Sequence, residues 1–335
     1  MPKLFTRLFK SNDPVIIMPY GGYANETSLH AQARVLEDEG IEKHVSNSFK
    51  DNIVRSLKSF ETDEIKGAKV KVSWQGDSAE LISDSEGYIY LNSDHGLELN
   101  HKGTLWIPVT FELLKNEEVT HSITSSVMKP APDAEFGVIT DMDETLIHTG
   151  LESILRWKVI INTFFKHSHD RLPLENAQQL CLALCGGSTG FKENPIFYLS
   201  NSPWNLYEYL TAFLEKFNFP KGTLLLRDIG LFNKKKKSLI ERNKFVKISH
   251  ILETYPKLNF ILIGDAVDHD PEIYVKIARK YPERILSIYI RVVKSKKKMR
   301  YTEKFIENTT DVEIKLIRSS DEALEDAKKR GYIIN

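Results

Sequence analysis

Phe136-Gly137-Val138-Ile139-Thr140-Asp141-Met142-Asp143-Glu144-Thr145 is the stretch on which the reading of this chain turns. A short apolar run rich in β-branched residues ends on two carboxylates two positions apart, followed by a threonine. Val138–Thr140 reads as a buried strand. Residues two apart on an extended backbone project to the same side, so Asp141 and Asp143 both point into whatever lies at the strand's C-terminal end. In open α/β sheets that end is where ligands bind. Two carboxylates held side by side repel unless a cation or a shared proton intervenes. The pair therefore implies a metal or divided acid and base roles.

Working outward, Pro195-Ile196-Phe197-Tyr198-Leu199 is a second apolar strand ending on Ser200-Asn201-Ser202-Pro203. Ser202 followed by Pro203 is a helix-start signal. Ser200 then falls in the strand-to-helix turn, where a hydroxyl and free backbone N–H groups can hold a phosphate oxygen. Phe260–Ile263 is a third strand, ending on Gly264-Asp265 and reaching Asp270-Pro271, which opens another helix. Between them Lys244 and Lys247 lie on a helix predicted over 243–254. Each acid or hydroxyl follows a strand.

That order resembles the haloacid dehalogenase superfamily of phosphoryl-transfer enzymes. Four stretches, Phe136–Gly150, Asn194–Tyr207, Phe219–Asp228 and Phe260–Tyr274, resemble the actin-patch-associated type of phosphatidate phosphatase and its bacterial relatives. The likeness runs from about Ala134 to Val293. Upstream, Ala33–Gly40 and Asp84–Tyr90 look like the β-rich module that precedes this catalytic domain in bacterial members. The resemblance implies an α/β fold: a doubly wound parallel sheet of the haloacid dehalogenase kind, preceded by a small all-β sandwich.

It also implies roles. Asp141 would be the nucleophile, forming an aspartyl-phosphate. Asp143 would protonate the leaving alkoxide and then activate water. Mg²⁺ would bind the Asp141 carboxylate, the main-chain carbonyl of Asp143 and the Asp265 side chain, with Asp270 as a metal-site or supporting acid. Ser200 would donate to the phosphoryl group. Lys244, preferred to Lys247 on the family's register, would offset charge on the phosphoryl oxygens. Ion-pumping relatives that stop at the phospho-enzyme resemble D-K-T-G-T and lack the second acid, so Asp143 points to hydrolysis of a phosphomonoester or to mutase transfer. Glu144 stands where an Asp is usual, and Ala266-Val267 where Ser-Gly is usual.

Before Pro130 the pattern is different. Ala68–Val72, Glu80–Ile82, Tyr88–Tyr90, Thr104–Ile107 and Val119–Val127 are short alternating runs, with Asp84-Ser85-Glu86-Gly87 reading as a hairpin turn. The expected division is a β-sandwich module over 1–129, a linker at Lys129–Asp133, and a phosphatase domain over 130–335. Helices are predicted over Leu206–Lys216, Pro271–Lys280 and Asp321–Arg330.

The chain has 335 residues, 41% hydrophobic, with 46 basic and 46 acidic side chains. No nucleic-acid partner is expected, since no binding motif is present. No signal-peptide run opens the chain and no apolar run spans a membrane, so a soluble cytoplasmic protein is expected, with peripheral membrane contact left open. Charge is uneven: Lys221–Arg300 carries 20 basic against 8 acidic residues, with dense runs at Lys234–Lys237 and Lys296–Lys298. This stretch reads as a solvated face, as a surface for anionic lipid or, though no binding motif accompanies the lysines, as a nucleic-acid contact. Cys181 and Cys185, the only cysteines, read as reduced structural thiols. Leu151–Phe165 reads as a buried helix, a dimer contact or a lipid-facing cap. Arg227 and Arg291 each follow a strand and could meet phosphate or a local acid, His148 reads as structural, and Trp204 and Tyr207 as packing residues. Three functions stay open: a Mg²⁺-dependent phosphatidate phosphatase, a phosphatase for a small soluble phosphomonoester, and a binding protein led by its β-module. The protein partner of such a module is not encoded in any motif.

Overall fold

The structure is a computed structural model describing residues 14–38, 62–94, 101–143, 145–146, 173–227, 236–267 and 269–334, with only the helical backbone for 236–242. Glu144, His148, the stretch 151–165 and the side chains of Lys234–Lys237 lie outside the described residues. Among the described residues, thirteen strands form two sheets.

The larger sheet is mixed. It contains β1 (Val15–Ala24), β2 (Leu29–Glu37), β3 (Lys69–Trp74), β4 (Asp77–Ile82), β5 (Tyr88–Ser93), β6 (Leu105–Lys115) and β7 (Glu118–Lys129). Their order is β4-β3-β6-β7-β1-β2-β5. Neighbours are antiparallel except β1 and β7, which run parallel where Gly22 faces Val127 and Tyr23 faces Met128. The two-residue alternation settles which face is inside: Val70, Val72 and Trp74 are buried while Lys69, Lys71 and Ser73 are half-buried. Gln75 and Gly76, at φ 42° and 95°, turn β3 into β4, the left-handed pair that a two-residue hairpin needs.

Residues 83–87 do not make the expected hairpin. They form a turn, since the Asp84 carboxylate accepts the N–H groups of Glu86 at 2.9 Å and Tyr88 at 2.8 Å. Yet β4 and β5 stand at opposite edges of the sheet. So short a link between two edges requires the sheet to curl back on itself, nearly closing into a barrel. Val35, Val72, Val109, Phe111 and Val127 fill its interior, all fully buried.

The second sheet holds β8 (Gly137–Asp141), β9 (Ile196–Pro203), β10 (Thr223–Arg227), β11 (Phe260–Asp265), β12 (Ile285–Arg291) and β13 (Lys315–Ile317). Its order is β10-β9-β8-β11-β12-β13, and every neighbouring pair is parallel. The helices around it are α1 (Ala177–Gly186), α2 (Tyr207–Lys216), α3 (Lys236–Thr254), α4 (Asp270–Lys280), α5 (Lys296–Glu307) and α6 (Ser320–Lys329). Strand β8 is buried on both sides: Val138 packs with Leu180 and Tyr198, Ile139 with Phe197, Ile251 and Leu262. Ser202-Pro203 does not start a helix; both residues finish β9, and a 3₁₀ turn over Trp204–Leu206 intervenes before α2.

These observations correct the expected architecture. A doubly wound α/β sheet of the haloacid dehalogenase type behind a small β-sandwich is not what the chain forms. The larger sheet is a single curled mixed sheet instead of two facing ones, and among the described residues few helices accompany the thirteen strands. Moreover, the mixed sheet is packed into the parallel one. The Thr223 hydroxyl of edge strand β10 donates to the Gly22 carbonyl at 3.1 Å. Met18 and Tyr20 join the apolar cluster containing Tyr198 and Trp204, whereas Tyr23 and Met128 join the one containing Phe197 and Ile251. The two arms of β1 thus cover apolar surface that a doubly wound fold would cover with helix. Strands β1 and β2, which made no clean alternating signal, are the elements responsible.

Candidate active site

Because the strands of the second sheet are parallel, their C-terminal ends open on one side of the molecule. Thr140 pairs with Ile263 and with Tyr198, so Asp141, Ser200 and Asp265 lie nearly level across β8, β9 and β11, although β9 itself continues to Pro203. Asp141 and Asp265, which end their strands, and Ser200, which lies inside β9 and not in the expected strand-to-helix turn, are therefore delivered to one place. Chain connections run to one side of β8 through β9 and β10, then to the other through β11, β12 and β13. The crevice between β8 and β11 is where such a reversal leaves room for a ligand.

Lys244 comes to this crevice from α3. Its side chain is 4% exposed, and the ammonium donates to Asp141 Oδ1 at 2.7 Å and also to Asp270 Oδ1. Lys247 turns elsewhere and donates to the Leu226 carbonyl. Ser200 Oγ donates to Asp143 Oδ2 at 2.7 Å and accepts the Ser202 N–H at 2.9 Å. The second Asp270 oxygen accepts the Asp265 N–H at 3.1 Å, and Asp265 Oδ1 accepts the N–H of Val267. All six residues proposed from sequence are thus linked in two hydrogen-bonded groups. Asp141, Lys244, Asp270 and Asp265 form one, Asp143 and Ser200 the other.

The electrostatics of the first group are unbalanced. Burial pushes the Asp141 carboxyl well above the usual carboxylate range; Lys244 opposes this, and Asp270, Asp265 and Asp143 reinforce it as like charges. Burial alone would lower Lys244, but Asp141 and Asp270 hold it well above the ordinary lysine value. Asp141 Oδ2 is buried with no hydrogen-bond partner among the described residues. Three carboxylates against one ammonium in this group, with Asp143 nearby and a buried oxygen left over, are a donor set that suits a hard divalent cation bound through oxygen. Among the described residues no three Asp, Glu, His or Cys side chains stand together as a self-sufficient metal cage. An ion here would therefore need main-chain, water or substrate oxygens as well.

Gly264 is a residue whose role was not read from the sequence. A Cβ there would lie 2.2 Å from Asp270 Oδ2 and 2.8 Å from Asp270 Cβ, so only glycine lets Asp270 reach the Asp265 N–H and Lys244. The Gly-Asp pair at a strand end was the available signal. Arg291, opposite Asp265 on β12, donates to Ser320 Oγ at 2.7 Å. Trp204 stacks on Tyr20 of β1 with ring centroids 4.5 Å apart, which ties the Ser200 segment to the mixed sheet. Cys181 is buried and Cys185 half-buried, both as free thiols.

Residues 136–292 match the protein family described as "Phosphatidate phosphatase APP1, catalytic domain". Phosphatidate phosphatase APP1 of Saccharomyces cerevisiae is 33% identical over 160 residues, covering 46% of this chain and 25% of the yeast protein. An uncharacterized protein of Schizosaccharomyces pombe is 36% identical over 104 residues, covering 30% of this chain and 17% of its own length. The matched part of this chain thus corresponds to a quarter or less of either relative. Among solved structures, a carbohydrate acetylesterase from Xanthomonas citri overlaps at 9% identity and a TM-score of 0.28, over 84% of this chain and 68% of its own, too slight to bear on the fold. No helix among the described residues is long and apolar enough to cross a membrane. The segment with APP1-like sequence is the one whose strands bring Asp141, Ser200 and Asp265 together, and over that segment the chain is similar to the catalytic domain of APP1-type phosphatidate phosphatases.

Proposed function

We propose that the protein is a Mg²⁺-dependent phosphatidate phosphatase acting through Asp141. The observation that carries the reading is the buried Asp141–Lys244 pair beside Asp143 and Ser200, inside the segment matched to APP1 catalytic domains. Asp141 attacks phosphorus, forming an O–P bond as the bond from phosphorus to the lipid oxygen breaks. Asp143 gives that oxygen its proton, so diacylglycerol leaves as an alcohol. Water then attacks the aspartyl-phosphate, its proton passing to Asp143, and the O–P bond to Asp141 breaks to release inorganic phosphate. General acid–base catalysis of this kind contributes about 10²–10⁴ in rate.

Lys244 orients the Asp141 carboxylate and neutralises charge as it spreads over the phosphoryl oxygens. Ser200 donates to Asp143 at 2.7 Å, and with substrate bound its single O–H would turn to the phosphoryl group instead. Asp141, the Asp143 carbonyl and Asp265 would hold Mg²⁺, which supplies Lewis-acid stabilisation of the phosphoryl charge when bound. Asp270 keeps Lys244 in place.

Initial rates on phosphatidate vesicles and on a panel of soluble phosphomonoesters test the substrate. Preference for the vesicles supports the reading, whereas faster turnover of one soluble compound overturns the lipid assignment. Asp141→Asn in a folded protein is expected to abolish both activities, since an amide cannot form the acyl-phosphate. Substantial remaining turnover would remove Asp141 as nucleophile.

A further inference from the structure

Helix α5 opens with an arrangement that works against its own stability. Its first turn is Lys296, Lys297 and Lys298, with no acidic residue, where the positive end of the helix dipole favours Asp or Glu. Lys294 and Arg300 flank it, making five basic residues in the stretch 294–300 with no acid among them. The Ser295 side chain caps this terminus by accepting the Lys298 N–H. Met299 and Thr302 are buried on the inner side. Lys296, Lys297, Arg300 and Tyr301 are exposed and follow i, i+3 and i, i+4 spacing, so they share one outer face. Among the described residues, Lys294, Lys296, Lys297 and Arg300 pair with no carboxylate. Glu303 and Glu307, the acids of this helix, lie toward its far end.

Position decides what the charge could serve. Residues 292–296 follow β12, so they emerge at the same end of the parallel sheet as Asp141, Ser200 and Asp265. Lys298 Nζ donates to the Val267 carbonyl at 3.4 Å, and the Val267 N–H is itself held by Asp265 Oδ1. The basic face therefore borders the loop of the metal-site acid.

From this juxtaposition we infer that Lys294, Lys296, Lys297 and Arg300 form a docking surface for an anionic bilayer, which seats the membrane against the mouth of the active site. The inference deepens the phosphatidate reading and rests on it for its purpose, but not for its test. Charge complementarity favours the partner: basic residues near an anionic membrane each contribute about five-fold in binding, and the attraction falls with salt. Acting on a lipid whose phosphate lies in the bilayer surface requires that surface to meet the open end of the sheet.

The full chain is sedimented with vesicles of phosphatidylcholine alone and with vesicles containing phosphatidylglycerol, across a salt series. Preferential, salt-sensitive binding to the anionic vesicles is expected. The combined variant Lys294→Gln, Lys296→Gln, Lys297→Gln and Arg300→Gln should lose at least a hundred-fold in that binding while hydrolysing a soluble aryl phosphate at the wild-type rate. A control variant neutralises the exposed Lys257, Lys276, Lys328 and Lys329 on other elements and should bind as wild type. Equal loss in both variants, equal binding to neutral vesicles, or tighter binding to duplex DNA than to anionic vesicles would overturn the surface. Vesicle binding by a protein without phosphatase activity would instead overturn the proposed function and leave the surface standing.

Discussion

Gly264→Ala tests the site at its tightest point. The new methyl would sit 2.2 Å from Asp270 Oδ2, 2.7 Å from its Cγ and 2.8 Å from its Cβ, whereas Cβ contacts below 3.0 Å are essentially never observed. The carboxylate must therefore retreat by about 0.8 Å, and it cannot do so by rotation alone because its own Cβ is too close as well. The Asp265 N–H, now 3.1 Å from Asp270 Oδ2, then loses its acceptor in a buried strand. An unsatisfied buried donor costs about 1–3 kcal/mol. Weakening the buried contact between Asp270 and Lys244 adds to this, by up to roughly 3–5 kcal/mol if the pair breaks outright. Alanine returns about 0.5–1 kcal/mol over glycine in backbone entropy. The net expectation is a loss of about 2–4 kcal/mol. Lys244 and Asp265 should also be displaced enough to lower kcat/KM by about 10²-fold.

Chemical denaturation and steady-state hydrolysis of an aryl phosphate measure the two effects. Asp270→Gly supplies the discriminating background, because it removes all three atoms that the methyl would meet. In that background Gly264→Ala should cost almost nothing, a large coupling between the two sites. If the two substitutions add independently, or if Gly264→Ala alone is as stable and active as wild type, then steric admission of Asp270 is not why glycine stands there.

Asp143→Asn should slow alkyl phosphates by about 10²–10⁴ while sparing the first step on aryl phosphates, whose leaving group needs no proton; equal losses by stopped-flow would remove Asp143 as the general acid. Mg²⁺ should raise the melting temperature of the wild type by mass action and Asp265→Asn should blunt that rise, so a melting curve indifferent to Mg²⁺ and to chelator would refute the metal site. At α6, burial would raise the Asp326 carboxyl, but hydrogen bonds from Lys315, from Tyr289 at 2.8 Å and from Arg330 at 2.8 Å outweigh it and hold it below its ordinary value. A depressed carboxylate stabilises above its unfolded pKa and loses that contribution as pH falls through the folded one. The advantage of wild type over Asp326→Asn, about 1–3 kcal/mol at neutral pH, should therefore fade below about pH 4 in urea titrations.

Where most of the candidate site residues fall in the fold was legible in the sequence because that placement is a local matter. A run of apolar residues long enough for one buried strand, stopped by Asp141 or by Gly264-Asp265, puts a carboxylate at the strand's end whatever lies around it, whereas Ser200, expected in a turn, lies within β9, which continues to Pro203. Helices fared similarly: α4 covers Asp270–Lys280 against the predicted Pro271–Lys280, and α2 covers Tyr207–Lys216 against Leu206–Lys216. What periodicity does not carry is partnership. Alternation tells which side of a strand faces inward, but not that Gly22 pairs with Val127. Nor does it tell that a turn at Asp84 joins opposite edges of one curled sheet, so the expected sandwich gave way to a near-barrel packed on the parallel sheet. The same limit applied to the lysines. Lys244 and Lys247 share a helix and a chemistry, and only the approach of α3 to β8 and α4 puts the first against Asp141 and Asp270 and the second against the Leu226 carbonyl. Element and facing follow from neighbours in sequence; sheet membership and ion pairing follow from neighbours in space, where desolvation and close packing decide.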